Sequence, residues 1–115
     1  MSNSLTIESY QGIVNKWIKE IGGGYFQPTT NVCMLAEEVG EVSRLISRTY
    51  GEQKFKAGET PENFKEALAD ELVGVFFVLT CIANEQGIDL EESIVRNMDK
   101  KYSRDKKRYI SDSRA

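Results

Sequence analysis

Three carboxylates in this chain occupy positions where a helix ordinarily places apolar side chains. Met34, Glu38, Glu41 and Leu45 are spaced four, three and four apart, the step of a single stripe along one helix face. Phe64, Leu68, Glu71, Val75 and Val78 repeat the pattern further along, again with a carboxylate inside the apolar stripe. An unpaired buried carboxylate costs several kcal/mol, so it must be neutralised, ion-paired or bound to a cation. Arg44 and Arg48 are the only basic residues between positions 30 and 50, so ion pairing has little to draw on. Carboxylates converging from facing helices instead make a site for a hard divalent cation. Mg²⁺ takes oxygen ligands at about 2.0–2.1 Å and keeps positions open for water and phosphate oxygens. Mn²⁺ is the second candidate. The plainer alternative is a wide, solvated polar face.

Two further groups could serve such a centre. Lys100, Lys101, Arg104, Lys106, Lys107 and Arg108 cluster near the end of the chain. Cations there complement a helix dipole or are simply solvated, while Lys101 and Arg104 are our choices for contacting an anionic substrate's phosphates. Trp17, Tyr25 and Phe26 could stack on a nucleobase. Trp17 lies on the apolar face of its helix, whereas Tyr25 and Phe26 sit in a loop beside the segment bearing Glu38, where packing and substrate contact both remain open. Cys33 and Cys81 fall within helical segments and are expected to behave as small buried hydrophobes.

Helices must position these groups. Residues 5–21 place Tyr10, Ile13, Val14, Trp17, Ile18 and Ile21 at helical spacing, and Gly22-Gly23-Gly24 makes continuation entropically costly. A second helix is expected over 30–50, ended by Gly51. Thr60 and Pro61 suit the N-cap and first position of a third, in which residues 72–83 are apolar nearly all round, as expected of the buried centre of the fold. Gly87 closes it. Asp89 and Glu92 then form a capping box opening a fourth helix to about residue 108. The expected architecture is all-α and four-helix bundle-like.

Composition narrows the function. At 115 residues the chain fits one domain. The absence of His rules out imidazole bases, Ser-His-Asp triads and His metal ligands. Two cysteines are too few for a disulfide framework. The apolar run in the third helix is too short to span a membrane, for which roughly 20 residues are needed. With no basic-then-apolar leader, a cytoplasmic location is the expectation. Residues 1–99 carry 8 Lys/Arg against 16 Asp/Glu, and residues 100–115 carry 7 against 2. An acidic body with a basic tail is a poor footprint for duplex nucleic acid.

Leu35-Ala36-Glu37-Glu38-Val39-Gly40-Glu41-Val42 resembles the EExxE signature of MazG-like nucleotide pyrophosphohydrolases, the all-α NTP pyrophosphatases. Asp70-Glu71-Leu72 followed by Val75-Phe76-Phe77-Val78-Leu79 is similar to that family's second motif, ExxD with an apolar run. Ile82-Ala83-Asn84, Gly87-Ile88-Asp89-Leu90-Glu91-Glu92 and Lys101-Tyr102-Ser103-Arg104-Asp105 fit in the same order, so the match covers roughly residues 25–109. The resemblance implies a single domain: an N-terminal helix and Gly turn over 1–24, a motif-bearing core over 25–109, and a flexible tail over 110–115. It implies Mg²⁺-dependent hydrolysis of nucleoside triphosphates to monophosphate and pyrophosphate. It makes Glu38, Glu41 and Glu71 metal ligands. Glu37 joins the acidic cluster, binding a further Mg²⁺ or orienting the attacking water, so Glu37 and Glu38 are the catalytic candidates. Lys101 and Arg104 then meet phosphate, and the chain assembles as a homodimer or homotetramer.

One position departs from the motif. The Asp expected three residues after Glu71 is Gly74 here. Water or Asp70 fills the vacancy, or the metal is held more weakly, or the chain binds nucleotide without turning it over. Because Mg²⁺ tolerates water ligands, a weakened enzyme is the favoured expectation and a catalytically impaired binding protein its alternative.

Overall fold

Each helix begins or ends where local backbone groups find partners. The computed structural model describes residues 4–110, in four helices: α1 Ile7–Glu20, α2 Pro28–Tyr50, α3 Phe64–Glu85 and α4 Leu90–Ile110. Residues 111–115 of the expected tail lie outside the described residues, as do residues 1–3 and the side chains of Lys107, Tyr109 and Ile110. α1 opens on a reciprocal cap: Thr6 Oγ1 accepts from the Ser9 N–H at 3.0 Å, and Ser9 Oγ accepts from the Thr6 N–H at 2.7 Å. α2 starts two residues before the expected point, with Pro28 in its first turn, where the missing N–H costs nothing. α3 starts later than expected. Asn63, not Thr60, is its N-cap, with Oδ1 accepting from the Glu66 N–H at 3.1 Å, so Pro61 precedes the helix. Asp89 caps α4 as expected, accepting from the Glu92 N–H at 3.0 Å.

α3 is the hub, packing against α2 along the length of both and against α1; α4 rests on α1. The core gathers Val14 and Ile18 of α1 with Cys81 of α3, flanked by Tyr10, Tyr25 and Phe77. Gln11 locks the junction. Its amide donates to Asn84 Oδ1 at 2.9 Å and to the Ile88 carbonyl at 2.8 Å, while its Oε1 accepts from the Leu90 N–H at 2.8 Å.

Two expectations about burial need correction. α3 is central, but it is not enclosed: Leu72 and Val73 are more than half exposed, because α1 and α2 cover only part of its apolar circumference. Cys81 is buried, whereas Cys33 is exposed, because it falls on the face of α2 turned away from α3. The Cα radius of gyration is 18.4 Å, against about 13 Å for a compact chain of this length. Ile94, Val95, Met98 and Tyr102 of α4 add to the uncovered apolar surface.

Candidate active site

The two stripes read from the sequence face each other across the α2–α3 seam, and they do so rung by rung. Antiparallel packing sets Asn31 and Met34 of α2 with Val78 and Cys81 of α3 around one cavity. One turn along, Glu38 lies against Gly74, so closely that a Cβ built on Gly74 would stand 2.5 Å from Glu38 Oε2. The next turn brings Glu41 within electrostatic reach of Glu71. The far end is closed by Tyr50 and Phe64, whose rings meet edge-on at 5.4 Å. A 3.6-residue period carries each stripe straight along its helix, and opposed helices therefore bring the carboxylates to one level.

The charges at that level are all of one sign. Burial pushes the Glu71 carboxyl up from its ordinary value, and the charges of Glu41, Glu38 and Asp70 push it the same way. Among the described residues, no cation acts on Glu71 against them. Arg44, the nearest base along α2, pairs instead with Glu59 of the following loop, Nη2 to Oε2 at 2.6 Å. A cluster of hard oxygen donors that repel one another and lack a counter-charge fits a divalent cation in its chemistry. Among the described residues, no three such side chains are close enough together to enclose an ion. Glu38 lies instead against Gly74 of α3. The Glu38 carboxylate thus fills the space that a side chain at position 74 would take.

Beside this acidic level, the seam opens into a cavity of about 200 Å³ lined by Trp17, Tyr25, Phe26, Asn31, Met34 and Phe77, among others. The Gly22-Gly23-Gly24 turn forms one edge. Gly23 and Gly24 hold φ of +81° and +100°, angles that a side chain would resist, and so double the chain back. Tyr25 is fixed by donating its hydroxyl to Asn15 Oδ1 at 2.6 Å, and Phe26 is half exposed at the rim. Trp17, expected on the core side of α1, is 45% exposed and meets Phe77 edge-on at 5.9 Å.

The structure thus sets half-buried Glu38 and Glu71 on facing sides of the seam, while Glu41, expected inside the apolar stripe, is exposed at its edge and only within electrostatic reach of Glu71; Tyr25 and Phe26 line the neighbouring cavity. Glu37 is exposed beside Glu38 on α2. Lys101 and Arg104 stand apart, exposed on α4, and Arg104 pairs with Asp105, Nε to Oδ1 at 2.8 Å. Sequence reasoning missed Asn31, only 3% exposed on the cavity wall. Its signal was present: Asn31 lies three residues before Met34, which extends the Glu38–Glu41 stripe by another turn.

The family model of the MazG nucleotide pyrophosphohydrolase domain matches residues 26–109. The chain belongs to the MazG nucleotide pyrophosphohydrolase family. Members of that family are hydrolases, and this MazG domain carries its two acidic motifs on the facing helices α2 and α3. A relative, YpjD of Bacillus subtilis (strain 168), is 38% identical over 104 residues, which is 90% of each chain. The solved structure of the Bacillus-conserved MazG protein, a nucleotide pyrophosphohydrolase, superposes with a TM-score of 0.69 at 31% identity, covering 86% of this chain and 92% of that one. The structure of YPJD from Bacillus subtilis gives a TM-score of 0.72 at 37% identity, over 87% and 97%. No described helix of this MazG domain is long and apolar enough to cross a membrane.

Proposed function

We propose that this MazG domain hydrolyses nucleoside triphosphates or their deoxy forms to monophosphate and pyrophosphate in a Mg²⁺-dependent reaction, with Mn²⁺ able to substitute. The observation carrying the proposal is the mutual repulsion of Glu71 with Glu41 and Glu38 across the seam, uncompensated by any cation among the described residues, beside an aromatic cavity. Glu38, Glu41 and Glu71 would hold the metal. When bound, it would polarise the phosphates, offset their charge and lower the pKa of water. Glu37 and Glu38 orient the attacking water and accept its proton, and the bond from the α-phosphorus to the bridging oxygen breaks. Tyr25 and Phe26 hold the nucleotide at the cavity.

We further propose a homodimer or homotetramer. Half-exposed Leu72 and Val73 on α3, the apolar row on α4 and the open shape of the single chain support it. A second copy is also the means by which Lys101 and Arg104, exposed on α4 well beyond its contact with α1 at Leu90 and Glu91, reach a substrate's phosphates. Phosphorus NMR of an NTP and dNTP panel incubated with Mg²⁺ tests the reaction. Monophosphate and pyrophosphate are expected. Nucleotide binding by titration calorimetry without products would leave the impaired protein, and silence in both assays would overturn the nucleotide reading.

A further inference from the structure

The Asn31 carboxamide is buried at one end of the α2–α3 seam. Its Nδ2 is buried and has no hydrogen-bond partner. Buried amide donors are nearly always paired, and the exceptions call for a ligand or a special role. Asn31 also lines the cavity, so its partner can come from there. The cavity's volume of about 200 Å³ lies below the roughly 300–1,000 Å³ of sites that enclose a drug-sized ligand. It takes one ring system and leaves the sugar and phosphates outside. Resting on the nucleotide reading above, the order of rungs then fixes the orientation. Phosphates belong at the level of Glu38, Glu41 and Glu71, the ring passes Met34 and Val78, and its far edge meets Asn31 beside Cys81.

From this geometry we infer that Asn31 selects the base, favouring those that carry a carbonyl at the edge remote from the sugar. Uracil, thymine and guanine place a hydrogen-bond acceptor there; cytosine and adenine place an amino donor. In the orientation the carboxamide holds here, the Nδ2 donor pairs with the first group and faces a second donor in the other. A site that leaves a buried donor unpaired rejects the wrong partner more strongly than a merely apolar pocket can.

Trp17 is the chain's only tryptophan and lines the same cavity, so its fluorescence reports on occupancy directly. Titration of the natural chain with free nucleosides needs neither metal nor turnover. We expect uridine and thymidine to bind about tenfold or more tighter than cytidine, the scale of one buried hydrogen bond. Asn31→Leu should erase the ratio, and Asn31→Asp, which offers only acceptors, should tilt it towards cytidine. Equal binding of uridine and cytidine by the natural chain overturns the inference without recourse to any variant. So does a preference that survives Asn31→Leu, or the absence of a response to every nucleoside. The two readings fail separately: NTP turnover without nucleoside discrimination removes the role of Asn31 alone, and discrimination without turnover removes the hydrolase alone.

Discussion

Gly74→Ala adds one methyl group where α3 meets the Glu38 carboxylate, and the structure gives its two consequences opposite signs. The new Cβ would stand 2.5 Å from Glu38 Oε2, whereas ordinary contact begins near 3.4 Å. Something must yield by roughly 1 Å, and the yielding atom is the tip of a flexible, half-buried side chain. Swinging it aside costs about 0.5–1 kcal/mol. Replacing Gly by Ala inside a helix returns about 1 kcal/mol. Stability without metal therefore stays level or rises, by up to about 4 °C in Tm for a domain of this size. Function should move the other way. Displacement of a reacting group by about 1 Å costs on the order of 100-fold in rate. Thermal unfolding in EDTA and in Mg²⁺, with pyrophosphate release as the activity assay, gives all three readouts. We expect an undiminished Tm in EDTA, a smaller Mg²⁺-induced rise in Tm, and kcat/KM lowered about 100-fold. Activity and Mg²⁺ response equal to those of the natural chain would refute the reasoning, because Glu38 would then not act from its place beside Gly74.

Three other perturbations separate the remaining arguments. The raised carboxyl of Glu71 means that its stabilising contribution is complete below the unfolded value, near 4.5, and is lost as pH rises through the higher folded value. Metal-free Glu71→Gln should accordingly gain roughly 0.5 kcal/mol above that range, the scale of one like-charge pair, and melting curves from pH 4 to 8 should show the natural chain alone losing stability there. Gln11→Ala leaves Asn84 Oδ1 and the Leu90 N–H without their partner, so urea unfolding should show a loss of about 1–3 kcal/mol with Mg²⁺ binding retained. Val73→Asp places a charge on the uncovered face of α3; size-exclusion chromatography with light scattering should show the natural chain as a dimer or tetramer and the variant as a smaller species.

Most of the scaffold was legible because short-range rules govern it. The glycine turn after α1, Gly51 after α2 and Asp89 before α4 act through their immediate neighbours. Thr60 and Asn63 compete for the start of α3, and both are sound caps by type. The winner depends on which side chain reaches an open N–H, which is settled only when the loop is laid down. Cys33 and Cys81 look alike in sequence, yet one faces solvent and the other the core, because burial belongs to helix pairing rather than to the helix.

The candidate site divides along the same line. Periodicity alone placed Glu38, Glu41 and Glu71 on two stripes, since a helix fixes the direction of every side chain relative to its neighbours. Four things required the packed chain: that the stripes face each other, that Glu38 occupies the space over Gly74, that Arg44 is taken by Glu59, and that Asn31 is buried unpaired against a cavity. Each is a relation between residues distant in sequence, and the sequence holds no measure of the register in which two helices meet. That register is set by the interlocking of all the side chains along the seam at once, so only the tertiary structure decides it.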